Sequence, residues 1–269
     1  MFKSIGYFPA QCARGSENVL SAFLTGCKTL GIVPKENDLT ADAFVIWSVV
    51  TKGRMADNLP IYRANINHKP IFILEVGALI RGTTWKVALN HINNTGNYGT
   101  GKVDRSHLKL GLNPQSAGDA ILVALQQQFS LLWNSPLSVR DWAIEQISQV
   151  RRYYDCPIVV RYHPRDQYLS IPGVIMQCAE LLNNTYCEYD IGFNYKCIIN
   201  HSSGVGVQSI IAGTPVICDT SSLAYSVSTE MQTIMLPDRT RWFDDILHTE
   251  WLVDEIATGM PLKRILDSL

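Results

Sequence analysis

The feature that most constrains this chain is a rhythm: apolar runs of strand length alternate with amphipathic stretches of helix length, and the pattern is played through twice. Parallel strands need a crossover that covers the sheet, so such a chain is expected to be α/β with helices on the faces of parallel sheets. In the first part, residues 3–8, 43–49, 70–76 and 85–89 read as strands. Ser16 is the expected cap of a helix with Val19, Leu20, Phe23 and Leu24 on one face, and residues 54–65 read as helical apart from Pro60. Residues 90–101, rich in Asn, Gly and Thr, have turn chemistry and no periodicity. After a soft break at residues 111–118 the rhythm restarts, with strands at 120–126, 157–162, 196–200 and 215–218. Helices are expected from Ser138 to about residue 153 and over 204–212. The expected architecture is two Rossmann-like domains, residues 1–113 and 114–239, with helices over 240–269 packing back across them.

Composition narrows the class. With 269 residues, 46% of them apolar and 17% charged, the chain can bury a large core and is neither disordered nor collagen-like. No apolar run approaches the ~18 residues that span a bilayer, and the first residues lack a signal-peptide core, so a cytoplasmic protein with no membrane partner is expected. Seven cysteines without a CxxC pair read as reduced thiols. Cys178, Cys187 and Cys197 are too widely spaced for a zinc site, and with no Asp-x-Asp sequence a metal is not indicated. Oligomeric state is not legible.

The net charge of −1 conceals a split. Residues 1–113 hold 13 Lys+Arg against 7 Asp+Glu, a net of +6, and residues 114–269 carry −7. Arg81, Lys86, Lys102, Arg105 and Lys109, with His91 and His107, share their stretch with one acid, Asp104. Clustered cations attract polyanions whatever their sequence. Arg14 and Tyr98 complete the candidate acceptor contacts.

In parallel α/β sheets ligands bind beyond the carboxyl ends of the strands, which directs attention to three segments. One is His163-Pro164-Arg165, preceded by Arg161; another is His201-Ser202-Ser203-Gly204-Val205-Gly206, leading into a helix. Small residues and unpaired amides at a helix start suit phosphate, and the arginines could grip a diphosphate. The third is the end of the strand at 70–76, where Glu75 is a charge in an otherwise apolar run. Glu75 is the first candidate for a general base, with Asp57, His91 and Asp104 behind it.

Residues 158–165, IVVRYHPR, and residues 200–217, NHSSGVGVQSIIAGTPVI, resemble together the donor half of GT-B glycosyltransferases. The likeness is to bacterial capsule-polysaccharide and sialyl or Kdo transferases, and it extends loosely to residues 251–259. It implies that His163, Ser202 and Ser203 contact the phosphates of a nucleotide sugar, a UDP-sugar first among them, with no permanently bound cofactor. Gln208 stands where such enzymes often carry Glu, which leaves the nucleotide open. In its brevity and charge polarity the chain is also similar to the phage enzymes that glycosylate 5-hydroxymethylpyrimidines. That likeness implies double-stranded DNA bearing hydroxymethylated bases as acceptor, with the base flipped out of the duplex. The alternatives are a capsule or surface-polysaccharide glycosyltransferase, a nucleotide-sugar epimerase, or a non-catalytic nucleotide- or DNA-binding protein.

Overall fold

The computed structural model describes residues 2–13, 15–163, 170–178, 181–182, 186–187 and 195–269. In chain order the elements are β1 (Ser4–Tyr7), α1 (Glu17–Thr29), β2 (Val33–Glu36), β3 (Ala43–Trp47), α2 (Asn58–Asn65), β4 (Ile71–Val76) and β5 (Trp85–Leu89). Then follow β6 (Ala120–Ala124), α3 (Val139–Arg151), β7 (Ile158–Tyr162), β8 (Ile175–Cys178), β9 (Leu181–Leu182), β10 (Tyr186–Cys187), β11 (Tyr195–Asn200), α4 (Val205–Ala212) and β12 (Val216–Ile217). The last are α5 (Thr240–Ile246), β13 (Glu250–Trp251), α6 (Val253–Ala257) and α7 (Met260–Leu266).

Two compact units form. The first takes residues 1–105 together with 247–269, and the second takes 106–246. The segment read as one closing tail is therefore divided between them, α5 going with the second unit and β13, α6 and α7 with the first. This redistributes charge. The first unit now holds 14 Lys+Arg against 11 Asp+Glu, a net of +3 rather than +6.

In the first unit the strand order is β2-β1-β3-β4-β5-β13. β1 to β4 are parallel, as the rhythm predicts, and all five residues of β3 are buried, as a strand covered on both faces requires. β5 departs from the all-parallel expectation and runs antiparallel to β4, because residues 77–84 are too few to carry a crossover helix. β13, expected to be helical, pairs antiparallel with β5, opposing Glu250 to Lys86 and Trp251 to Trp85. Trp251 is fully buried and packs against two guanidinium groups, with the Arg105 Cζ 4.4 Å and the Arg264 Cζ 5.3 Å from its ring centroid. Gly26 in α1 allows the closing turn to approach: a Cβ there would lie 2.5 Å from the Ile256 carbonyl oxygen and 2.8 Å from the Gly259 Cα. Ser16 does not cap α1 through its side chain; its hydroxyl donates to the Ala13 carbonyl at 2.6 Å.

The second unit has an entirely parallel sheet in the order β12-β11-β6-β7-β8, beside a short antiparallel pair, β9 and β10. Ile121, Val123, Val160 and Ile199 from its central strands meet Trp142, Ala143 and Val150 of α3 in one core. Ser138 caps α3 as expected, its hydroxyl accepting from the Asp141 amide at 3.1 Å. Among the described residues, no helix is long and apolar enough to cross a membrane.

Candidate functional site

The second unit's sheet grows outward from β6 in both directions, to β7 and β8 on one side and to β11 and β12 on the other. The crevice between β6 and β11 is thus a topological switch point, where neighbouring crossovers leave the sheet on opposite faces and a ligand can enter. The loop after β11 is His201 to Gly204, and the loop after β6 begins at Leu125 and Gln126. They are tied together. The Ser202 amide donates to Gln126 Oε1 at 3.0 Å, and the Ser202 hydroxyl lies 3.2 Å from that oxygen and 3.0 Å from the Leu132 carbonyl.

Ser202 is therefore engaged by the protein itself; Ser203, half-buried like Ser202, has its carbonyl accepting from the buried Asn200 Nδ2 at 3.2 Å, with its hydroxyl 3.5 Å from the same nitrogen. Gly204 caps α4 with no side-chain hydrogen bond; the Gly206 amide donates to the Ser203 carbonyl at 3.2 Å, and no side chain caps the other first-turn amides. Gly206 is required for packing, since a Cβ there would come 2.8 Å from Asn200 Oδ1. Gln208 is half-buried on α4. Arg161 is only 4% exposed within β7, between Ala124 and Gln177, and His163 follows at the strand end, half-buried. Arg165 lies outside the described residues.

His201 corrects the expectation that it faces a donor. It is 3% exposed, its ring 4.6 Å from that of Trp133 and 6.0 Å from that of Trp142, and its Nδ1 is 3.3 Å from the Ser202 hydroxyl. It is a core group that shapes the loop. Burial holds the imidazole below its ordinary value, against the opposing pull of Asp219. The Asp219 carboxyl is itself raised by burial but held low on balance by the Ser221 hydroxyl and amide, with His201 adding to them. Because folded His201 binds a proton less readily than unfolded His, stability is full above the ordinary value and is lost as pH falls through it. Lowering the pH from about 7.5 to about 5 is expected to depress the melting temperature of the wild type more than that of His201→Phe. Scanning calorimetry measures both, and equal shifts would remove His201 as the cause.

Sequence reasoning passed over Gln126, Trp133 and Asn200. The signal for Gln126 and Asn200 was the one used for Glu75, a polar residue closing an apolar strand, but the partners they bind are distant in sequence.

In the first unit, Glu75 sits near the carboxyl end of β4, half-buried, with Oε1 accepting from the Val76 amide at 2.8 Å. It stands opposite Lys86. Asp57 is exposed just before α2. His91 is corrected as a base: β5 runs antiparallel, so the residue after it lies at the opposite edge of the sheet from Glu75, its Nδ1 3.0 Å from the Tyr62 hydroxyl. Asp104 is exposed.

The cations expected to meet an acceptor divide into surface and core. Lys102 and Lys109 are exposed. Lys86 and Arg105, 7% and 5% exposed, are corrected to structural cations. Arg105 binds the Leu247 and Glu250 carbonyls at 3.2 and 2.7 Å, stacks on Trp251 and pairs with the Glu255 carboxylate. Arg81 is half-buried and donates from Nη1 to the Gly77 carbonyl at 2.8 Å. Tyr98 is half-buried, its phenol pushed up by burial and by Glu250, and its carbonyl accepts from Arg264 at 2.8 Å. Arg14 lies outside the described residues. Among the described residues no group of three or more His, Cys, Asp or Glu could hold a metal ion.

Two parallel-rich sheets, each with helices, define a two-domain Rossmann-like α/β fold. Among solved structures, the chain is similar to the KpsC beta Kdo 2,7 transferase of Thermosulfurimonas dismutans, with a TM-score of 0.54 and 15% identity over 97% of this chain and 99% of that one. It is also similar to the KpsC beta Kdo 2,4 transferase of the same organism, with a TM-score of 0.52 and 11% identity over 93% and 90%. No protein-family model and no curated protein matches the sequence.

Proposed function

We propose that the chain is a glycosyltransferase whose second unit holds a nucleotide sugar and whose first unit holds the acceptor hydroxyl. The observation that carries this reading is the β6/β11 crevice. There the uncapped start of α4, half-buried Ser203 and, one strand over, His163 stand at the ligand-binding end of a parallel sheet, in a fold shared with two Kdo transferases. The amides and His163 would receive the negative charge that builds on the departing phosphate as its bond to the anomeric carbon breaks. The acceptor oxygen bonds to that carbon and passes its proton to a carboxylate, the role assigned to Glu75.

The acceptor suggested by the charge split, duplex DNA with hydroxymethylated bases, keeps less support than the sequence promised. The folded first unit carries only +3, and three of its cations, Lys86, Arg105 and Arg264, are buried. A capsule-type glycan is the other acceptor to be tried.

The donor half is tested by titrating UDP- and CMP-sugars calorimetrically into the wild type, His163→Ala and Ser203→Ala. Each variant should weaken binding about tenfold or more at unchanged melting, the usual worth of a hydrogen bond to a charged phosphate. Unchanged affinity would move the donor elsewhere. Mass spectrometry of incubations with hydroxymethylated DNA or with glycans then separates transfer from epimerisation and from binding alone.

A further inference from the structure

Among the described residues no peptide bond is cis, so the C=O and N–H of each planar peptide group point in opposite directions, and holding one end aims the other. In the turn after β11 two buried amide side chains do the holding, each from one of the strands that flank the β6/β11 crevice. Gln126, 8% exposed just beyond β6, accepts from the Ser202 amide at 3.0 Å, and the other end of that peptide group, the His201 carbonyl, accepts from the Asp219 amide at 3.0 Å. That group is closed at both ends and offers nothing to a ligand.

Asn200, the last residue of β11, is wholly buried, and its Nδ2 donates to the Ser203 carbonyl at 3.2 Å. A carbonyl only accepts, so the nitrogen is the end that faces Ser203, and Oδ1 is left without a partner beside Gly206, where a Cβ would come within 2.8 Å of it. An unpaired oxygen in the interior is destabilising, and a leucine at this position would fill similar space without one. The Ser203 carbonyl does not need the bond for its own sake, because the Gly206 amide donates to it as well, at 3.2 Å. What the Asn200 bond adds is direction. With the Ser203 carbonyl drawn inward, the Gly204 N–H of the same peptide group points away from the buried Asn200, and among the described residues nothing accepts from it. Gly204 itself is half-buried.

We propose that Asn200 is a positioning residue for the phosphate group of the ligand: acting through the Ser203 carbonyl, it holds the Gly204 N–H in the direction from which an anion is bound. This rests on the reading of the crevice as the nucleotide-sugar site.

The test compares Asn200→Asp and Asn200→Leu with the wild type by calorimetry, with inorganic pyrophosphate, UDP and CMP as the probes. An ionised carboxylate cannot donate to the Ser203 carbonyl, a protonated one can, and burial raises the pH at which the proton is kept. The affinity of Asn200→Asp, relative to the wild type at the same pH, should therefore be down about tenfold or more near pH 8 and recover to within about threefold near pH 5.5. A ratio that stays flat over that range, whether near one or low, would overturn the proposal. Asn200→Leu should bind about tenfold or more weakly at both pH values while melting no lower than the wild type, because it removes the unpaired oxygen and leaves Ser203 its Gly206 partner. If Asn200→Leu binds like the wild type, the effect of the carboxylate is charge repulsion alone and the proposal fails; if its binding and melting fall together, Asn200 is purely structural and the proposal fails too. In amide NMR spectra, the Gly204 proton should move downfield when pyrophosphate is added to the wild type and stay in place in Asn200→Leu. Should Asn200→Asp not fold, this comparison decides, and a Gly204 proton that moves alike in both proteins overturns the proposal. A wild type that binds none of the probes would end the nucleotide-sugar reading and this proposal with it, whereas binding indifferent to Asn200 ends the proposal alone.

Discussion

Glu75→Gln is expected to cut turnover between about 100-fold and 10,000-fold, the range over which a positioned general base acts, while leaving nucleotide-sugar affinity and melting unchanged. The amide keeps the shape of the side chain, and its oxygen can still accept from the Val76 amide. Basicity alone is lost. Single-turnover kinetics with saturating donor give the chemical step directly, and calorimetry on the same variant gives the donor affinity. A variant that turns over at near-normal rate would transfer the role to Asp57, exposed just before α2, because His91 lies at the far edge of the sheet.

Arg105→Ala is expected to lower the stability of the first unit by about 3–5 kcal/mol, the loss typical of removing one partner from a buried ion pair. The guanidinium closes four contacts at once: the Leu247 and Glu250 carbonyls, the face of Trp251 and the Glu255 carboxylate, which also accepts from the Leu252 amide at 2.8 Å. Urea melts followed by tryptophan fluorescence report the change. Lys102→Gln and Lys109→Gln, at exposed positions, should stay within about 0.5 kcal/mol of the wild type. An Arg105→Ala protein that melts like the wild type and only binds DNA less well would restore the surface role that the charge pattern suggested.

That pattern shows where sequence reading stops. The central strands β1, β3, β4, β6, β7 and β11 were legible because a strand covered on both faces must be apolar along its length. β2, with the sequence Val-Pro-Lys-Glu, was not, since an exposed edge strand needs no apolar run and is held by its backbone alone. The antiparallel sense of β5 was hidden because side-chain periodicity has no direction. β13 is two residues long, and Glu250 reads as a surface acid until the loop amides that surround it are in place. The placement of Glu75 near the carboxyl end of β4 and of Ser203–Gly206 at the start of α4 was legible from the strand and helix pattern. His201, Ser202, Lys86 and Arg105 were misjudged because their partners lie elsewhere in the chain, and nothing in the local sequence says whether a charge or an imidazole faces water or a tryptophan.

The way residues 247–269 complete the first unit also bears on how the protein is made. Residues 106–246 form one uninterrupted stretch and can close their sheet while the ribosome is still at work. The earlier unit cannot: β5 leaves the ribosome as an open edge, with Lys86 lacking one of its two carboxylates, until β13 arrives. At about 5–20 residues per second that wait lasts roughly ten to thirty seconds, during which an unpaired strand invites aggregation or a chaperone. A chain halted before Trp251 would carry an unbroken second unit while the β5 edge of the first stays unpaired.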